Sequence, residues 1–203
     1  MRITEKKRSD EERALNRRKQ VLDAAAICFK RSGFHGASMA EISKAAGMST
    51  GHIYNYFDNK DAIIIAFVEQ NLERVAAILS DLVQREDPLQ TMLDNAEKHI
   101  GDNLDPGLWV LQLEIFSEAA RNPAVAGVLR AADAHLRGEL RGIVRRGREQ
   151  RQLAADDATL DGRIETMIAM YQGMSLRALH NPALDVASVL SSFRLALEPL
   201  LLS

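Results

Sequence analysis

Between Ser49 and Lys60 the chain reads Ser-Thr-Gly-His-Ile-Tyr-Asn-Tyr-Phe-Asp-Asn-Lys. Ile53 and Phe57, four residues apart, give this run one apolar face if it is helical. At roughly 100° per residue, Gly51, His52 and Asn55 then point the other way, with Tyr54 and Tyr56 flanking. That face offers hydrogen-bonding groups and no long charge. Asn and His side chains reach base edges in a major groove, an aromatic ring lies against a thymine methyl, and phenols bond phosphate. Gly51 lets the backbone come close. A second reading makes Tyr54, Tyr56 and Phe57 plain core aromatics of a small helical domain.

A surface of this kind works only if other elements hold it. Ser38 and Glu41 have the spacing of a capping box, after which Met39, Ile42 and Ala46 recur at helical intervals. Gly47 suits a left-handed C-cap, and Ser49 or Thr50 is placed to cap the next helix. Upstream, a helix is expected from Arg17 to about Arg31, buried along Val21, Leu22, Ala25, Ala26 and Phe29. Arg17, Arg18 and Lys19 fall in its first turns, where positive charge opposes the helix dipole and a phosphate would relieve the conflict. Ser32 to Ala37 reads as a turn with two glycines, from which Phe34 enters the core and His35 has no assigned role. Asp58 to Asp61 caps a fourth helix, with Lys60 in its first turn. Residues 1–16 carry Arg2, Lys6, Lys7, Arg8 and Arg13 without apolar periodicity. They are expected to form a partly disordered basic arm, either an ordinary solvated terminus or a strap along phosphates.

The succession of cap, short helix, glycine turn, cap and Tyr-x-Tyr-Phe-x-x-Lys resembles the DNA-binding domain of TetR-family transcriptional regulators, over roughly Arg18 to Phe67. The resemblance implies a three-helix helix-turn-helix head over residues 17–60 and a helical ligand-binding and dimerisation body over 61–203. It places Ser38, Ser49, Thr50, Gly51, His52, Tyr54, Asn55 and Tyr56 at the DNA, with Arg17, Arg18 and Lys60 toward phosphates. It also implies that an effector moves the helix beginning at Lys60, changing the separation of two heads.

Charge is distributed to match. The first 60 residues hold 12 Lys and Arg against 7 Asp and Glu, and the remainder 14 against 21, a net +5 and −7 hidden in an overall −2. Hydrophobic residues make up 46% and aromatics 5%, which suits an Ala- and Leu-rich all-α protein. The single cysteine, Cys28, excludes an internal disulfide framework and a multi-cysteine zinc site. No apolar run approaches the roughly 18–20 residues that span a bilayer, and the N-terminus is charged rather than a signal sequence. A cytoplasmic protein is expected.

The body reads as about six helices, nine in all. Ile64, Val68, Leu72, Val75, Leu79 and Leu82 outline the first, and Pro88 opens the next, which runs to about Gly101 before a loop over 102–107. Leu108 to Phe116 is apolar nearly all round; Gln112 and Glu114 either share its exposed strip or are buried toward a partner or ligand. Arg145, Arg146, Arg148 and Arg151 end a helix running from about Ala124 to Gln150, as a solvated, dipole-matched terminus or a second nucleic-acid patch. Met92, His99, Trp109, Gln112, Glu114, Phe116, Met167, Met170 and Tyr171 are candidate pocket residues for a small apolar or amphipathic effector; plain core is the competing reading. Val186, Val189, Leu190, Phe193 and Leu197 form an apolar seam on the last helix, taken as a homodimer interface.

Catalytic chemistry has no positive sign. No Gly-rich phosphate loop, metal-spaced His or Cys pair, or nucleophile elbow occurs, so no enzyme activity, cofactor or metal is expected. The reading is a DNA-binding, ligand-relieved repressor acting as a homodimer on a near-palindromic, double-stranded operator. A DNA-coating protein without effector, or a helical carrier or enzyme retaining a helix-turn-helix, stays open.

Overall fold

The computed structural model describes the backbone of residues 2–104 and 106–203 and the side chains of residues 11–101, 104, 109–174 and 176–203. Among the described residues there are nine helices and no strand: α1 (Arg2–Gly36), α2 (Met39–Ala45), α3 (Thr50–Ile53), α4 (Lys60–Val83), α5 (Pro88–Leu104), α6 (Pro106–Ala119), α7 (Pro123–Gln150), α8 (Asp157–His180) and α9 (Val186–Leu202). They form two compact units, Met1–Gln70 with Val110–Leu129, and Asn71–Trp109 with Arg130–Ser203. The sequence boundary at 60/61 thus falls inside the first unit. α4, α6 and α7 each run from one unit into the other.

Three boundaries differ from expectation. α1 begins at Arg2, fifteen residues early, because no glycine or proline interrupts the chain before Gly33 and the composition there favours helix; the side chains of Arg2, Lys6, Lys7 and Arg8 lie outside the described residues. The loop expected over 102–107 is shorter, since α5 continues to Leu104 and Pro106, pre-set for a first helical position, starts α6. α3 proper ends at Ile53. Asn55 and Tyr56 continue as turns, their N–H groups donating to His52 and Ile53 carbonyls three residues back.

The first unit closes around Val21, Ala25 and Phe29 of α1, Ile42 of α2, Ile53 of α3, Phe57, and Ile63, Ile64 and Phe67 of α4, all buried. Phe29 meets Phe34 and Phe67 edge-on, at 5.4 and 6.2 Å between ring centres. Cys28 is buried in this core, and burial raises its thiol above the usual range.

The second unit is centred on α5. Its Leu89, Leu93, Ala96 and Ile100 pack with Val144, Leu160, Met167, Phe193, Leu197 and Leu201 in one core. This corrects three assignments. Phe193 and Leu197 are buried because the seam of α9 is turned onto α5 within the same chain, and Met167 lies in the same core. What α8 and α9 leave outside is a different set, Leu176, Leu179, Val186 and Leu195. Val189 and Leu190 are half-buried.

The arginine run at the end of α7 is neither a solvated terminus nor a nucleic-acid patch. Arg148 is 1% exposed; its Nε donates to Ala154 O (2.6 Å), Nη1 to Leu201 O (2.8 Å) and Nη2 to Ser203 O (2.8 Å). Arg163 of α8 donates to Pro199 O, Leu200 O and Ser203 O. Two guanidinium forks thereby donate to the carbonyls of the last turn of α9, of which Pro199 O also accepts the Ser203 N–H. Burial and the neighbouring Arg163 lower the pKa of Arg148. Arg146 donates to Val83 O (2.8 Å), and Arg145 and Arg151 pair with Asp157 and Asp87.

Gly147 sits against Leu89: a β-carbon there would come within 2.5 Å of the Leu89 Cγ. That side chain is fully buried and its branch point cannot swing aside. Gly147→Ala is therefore expected to destabilise the protein by about 1–3 kcal/mol through overpacking, despite alanine's higher helix propensity, as read by urea unfolding. Gly142→Ala, where a β-carbon meets nothing within 4 Å, should be neutral or stabilising.

Candidate nucleic-acid interface

The helix-turn-helix is built as its sequence directs. Ser38 Oγ accepts from Glu41 N–H (3.1 Å) and Ser38 N–H donates to Glu41 Oε2 (2.8 Å), closing the capping box. Those bonds, the backbone one first, lower the Glu41 pKa. At the other end of α2, Gly47 takes φ +63°. Its N–H donates to Lys44 O and that of Met48 to Ser43 O, the paired bonds of a Schellman turn. Ser49 caps α3 through His52 N–H, and Thr50 Oγ1 lies 3.0 Å from Ser43 Oγ, tying α3 to α2. Gln20 of α1 donates from Nε2 to Ala46 O (2.7 Å).

On this frame Ile53 and Phe57 are buried, while Gly51, His52, Tyr54 and Asn55 are exposed together and Tyr56 is half-buried. His52 and Tyr56 rings meet edge-on at 5.4 Å, and Asn55 Nδ2 is 3.5 Å from His52 Nδ1. Ser49 and Thr50 are exposed, their hydroxyls engaged as above; Ser38 is exposed with its hydroxyl in the capping box. The face offers two amide and imidazole edges and a phenol, with open space above Gly51.

The cations sit differently from expectation. Arg17 is exposed and donates to Gln20 Oε1 on its own helix (2.8 Å). Arg18 lies over the Phe57 ring at 4.4 Å, with Nη1 toward Tyr56 O (3.4 Å) and Nη2 3.8 Å from Glu69 Oε2. It packs α1 on the end of the motif, a corner that cation–π attraction favours. Lys60 turns back: its Nζ donates to Phe34 O (2.7 Å) and Ala37 O (2.8 Å), lies 3.5 Å from His35 O, and stands 4.7 Å from the Phe34 ring centre. A lysine in a helix's first turn needs negative partners, and the turn between α1 and α2 supplies three carbonyls.

That turn is held from α6 as well. Gly33 has φ 71° and ψ 168°, a conformation open to glycine alone. Phe34 N–H donates to Glu114 Oε2 (2.8 Å), so Glu114 binds the head's backbone and leaves the pocket set. His35 Nε2 stands 3.0 Å from Glu118 Oε2. Neither Gln20, His35 nor Glu118 was singled out in the sequence. For Gln20 and Glu118 the available signal was a polar residue beside a buried helical stripe; His35, exposed in the turn, gave none.

The remaining pocket candidates do not converge on a described cavity. Gln112 and Phe116 are half-buried in the first unit; Met92, His99, Met170 and Tyr171 are half-buried in the second. Tyr171 stacks edge-on with Phe193 at 4.8 Å, and burial pushes its hydroxyl up to about 12. Trp109 is buried with its indole N–H unpartnered. A cleft of about 300 Å³ between α7 and α8 is lined by Ala134, Gly138, Ile164 and charged groups. Those charges are already paired across the helices, Arg137 with Glu165 and Arg141 with Asp161. Among the described residues no group of His, Cys, Asp and Glu is arranged to hold a metal.

With this geometry in hand, comparison with known proteins is direct. Residues 21–67 match the model of bacterial regulatory proteins of the tetR family, and residues 85–201 match that of the C-terminal part of BetI-type transcriptional repressors. The regulator UidR of Escherichia coli K12 is 33% identical over 113 residues, 56% of this chain and 57% of UidR, so the match spans little over half that relative's length. The structure of Salmonella enterica GusR superposes with a TM-score of 0.74 at 26% identity, covering 92% of this chain and 96% of GusR. That of FadR from Bacillus subtilis, solved with stearoyl-CoA, gives 0.74 at 21% identity over 90% and 97% of the two chains, a likeness of fold. The capped, glycine-turned motif and the helical body behind it are both accounted for: the chain belongs to the tetR family of bacterial regulatory proteins.

Proposed function

We propose that this protein is a transcriptional repressor that binds a near-palindromic operator as a homodimer and releases it on taking up a small apolar or amphipathic effector. The observation that carries this reading is the face of Gly51, His52, Tyr54 and Asn55, exposed on a helix-turn-helix whose every cap is satisfied. Such a face reads base edges. Two copies would address half-sites about 34–36 Å apart or somewhat more. Leu176, Leu179, Val186 and Leu195, the exposed apolar residues of α8 and α9, support self-association, since a buried seam would leave them unexplained. The unpartnered Trp109 indole and the half-buried Met92, Met170 and Tyr171 support an effector that carries a hydrogen-bond acceptor on an apolar body. No helix among the described residues is long and apolar enough to cross a membrane, in keeping with a regulator that works on DNA in the cytoplasm.

The test is fluorescence anisotropy on the duplex upstream of the protein's own gene against a scrambled duplex, from 50 to 200 mM salt. Asn55→Ala is expected to cost about 1–3 kcal/mol of discrimination at one or two base pairs with little change on scrambled DNA; equal losses on both duplexes would remove Asn55 from base readout. Lys60→Ala separates two roles. With the ammonium on the turn, melting falls by an amount equivalent to about 1–3 kcal/mol and the salt slope is retained. An unchanged melting temperature with a slope lower by about one unit would return Lys60 to a phosphate. Leu195→Glu is expected to give folded monomers in sedimentation velocity. A persistent dimer would move the interface off this face.

A further inference from the structure

Glu118 is 5% exposed, and its Oε2 is buried with no hydrogen-bond donor directed at it. Its Oε1 accepts from Asn122 Nδ2 (3.1 Å). The cation that can compensate the other oxygen is His35, whose Nε2 is 3.0 Å away, an ion-pair contact off the line of a straight hydrogen bond. The His35 side chain itself is 69% exposed, so its ring exchanges protons with solvent while the carboxylate beneath it cannot be rehydrated. A buried carboxylate facing a neutral imidazole is poorly compensated; facing an imidazolium it gains a charge partner in surroundings where that interaction is strong.

We propose that His35 and Glu118 form a pH-sensitive clasp, which fixes the turn Gly33–Ala37 on α6 when the imidazole is protonated and loosens it when the ring is neutral. The other ionisable groups of this knot are accounted for. From α6, Glu114 accepts the Phe34 N–H. From α4, Lys60 is held by the carbonyls of Phe34 and Ala37, and Asp61 accepts from Asn122 Nδ2 (2.8 Å). His35 is thus the member of the set whose side chain ordinarily changes charge between about pH 5 and 8. The direction follows: the stabilising pair is present in acid and is lost as pH rises. Because the same turn leads into the capping box of α2 and supplies the acceptors of Lys60, the clasp acts on the position of the helix-turn-helix, with Glu118 as a positioning residue.

The experiment compares the full-length wild type with His35→Gln and His35→Lys across pH 5.5 to 8.5. The first readout is hydrogen exchange of the segment containing the Phe34 amide, corrected for the intrinsic pH dependence of exchange. Protection in the wild type is expected to fall about threefold to tenfold over this range, the scale of a partly exposed ion pair. His35→Gln should stay at the low value and His35→Lys at the high one, neither with a step. Parallel pH courses in all three proteins would overturn the clasp. Both His35 substitutions are at an exposed position, so folding is preserved, and Glu118→Gln supplies a check from the buried side: it should abolish the wild-type step, and a surviving step overturns the assignment. DNA anisotropy on the same proteins tests the second half of the claim, which rests on the DNA-binding reading. His52 lies on the proposed DNA face in all of these proteins, so only the difference between wild type and the two His35 variants counts. Affinity that tracks protection supports the link; protection that changes at constant affinity difference would overturn it while leaving the clasp intact.

Discussion

The ammonium of Lys60 on the carbonyls of Phe34 and Ala37 is the interaction on which the first unit depends. It satisfies several demands at once. The C-terminal end of α1 has carbonyls without donors, the start of α4 has a lysine with the wrong sign for its dipole, and the entry to α2 needs its chain brought in at a fixed angle. One cation answers all three. It can do so only because Gly33 reverses the chain at a positive φ, bringing the carbonyls of residues 34 and 37 to one point. Glu114 then accepts the Phe34 N–H of that reversal. The glycine, the lysine and the glutamate are far apart in sequence and form a single polar joint.

The second unit is held by the opposite arrangement, cations reaching into the end of a helix. α9 is apolar on the side that packs on α5, and most of its final carbonyls need donors from outside the helix. Arg148 and Arg163 supply six N–H contacts there. A buried arginine is costly unless its fork is filled, and here five of those contacts end on carbonyls of residues 199–203, with Ala154 as the sixth. Packing of α9 on α5 and neutralisation of its end are therefore coupled: one places the carbonyls that make the other tolerable.

Most of the fold was legible because helices announce themselves through periodicity, caps and breaks, and this chain has all three. Ser38 with Glu41, Gly47 and Pro88 each mark a boundary within a residue or so of where the structure places it. What periodicity could not decide was which side of an amphipathic helix a given chain buries against itself. Phe193 and Leu197 lie on a seam that either a partner or α5 could cover, and only the three-dimensional path of α5 settles it. The outward set of the helix-turn-helix was legible for a related reason: Gly51, His52 and Asn55 are exposed by local geometry once Ile53 and Phe57 are inward. Lys60, Arg18 and Arg148 have partners that the sequence did not show, because a cation's partner is a carbonyl or ring brought in from elsewhere, and backbone acceptors leave no mark in a sequence. Glu114 was left between exposed strip and buried group for the same reason, its partner being the amide of Phe34.

Under the proposed function, these inward-turned cations bear on how the protein would distinguish DNA sequences. Phosphate contacts give affinity without sequence information, whereas base contacts give the reverse. Arg18 and Lys60 are engaged within the fold, and the outward face of α3 carries no long charge, so the described head has limited means to hold DNA through phosphates alone. Under the proposed function, a single head would then bind weakly to any duplex, and useful affinity would arise when two heads find correctly spaced half-sites together. Discrimination becomes a property of the dimer's spacing as much as of the base contacts. Anything that shifts the turn between α1 and α2, and with it the bearing of α3, is accordingly felt twice, once in each half-site.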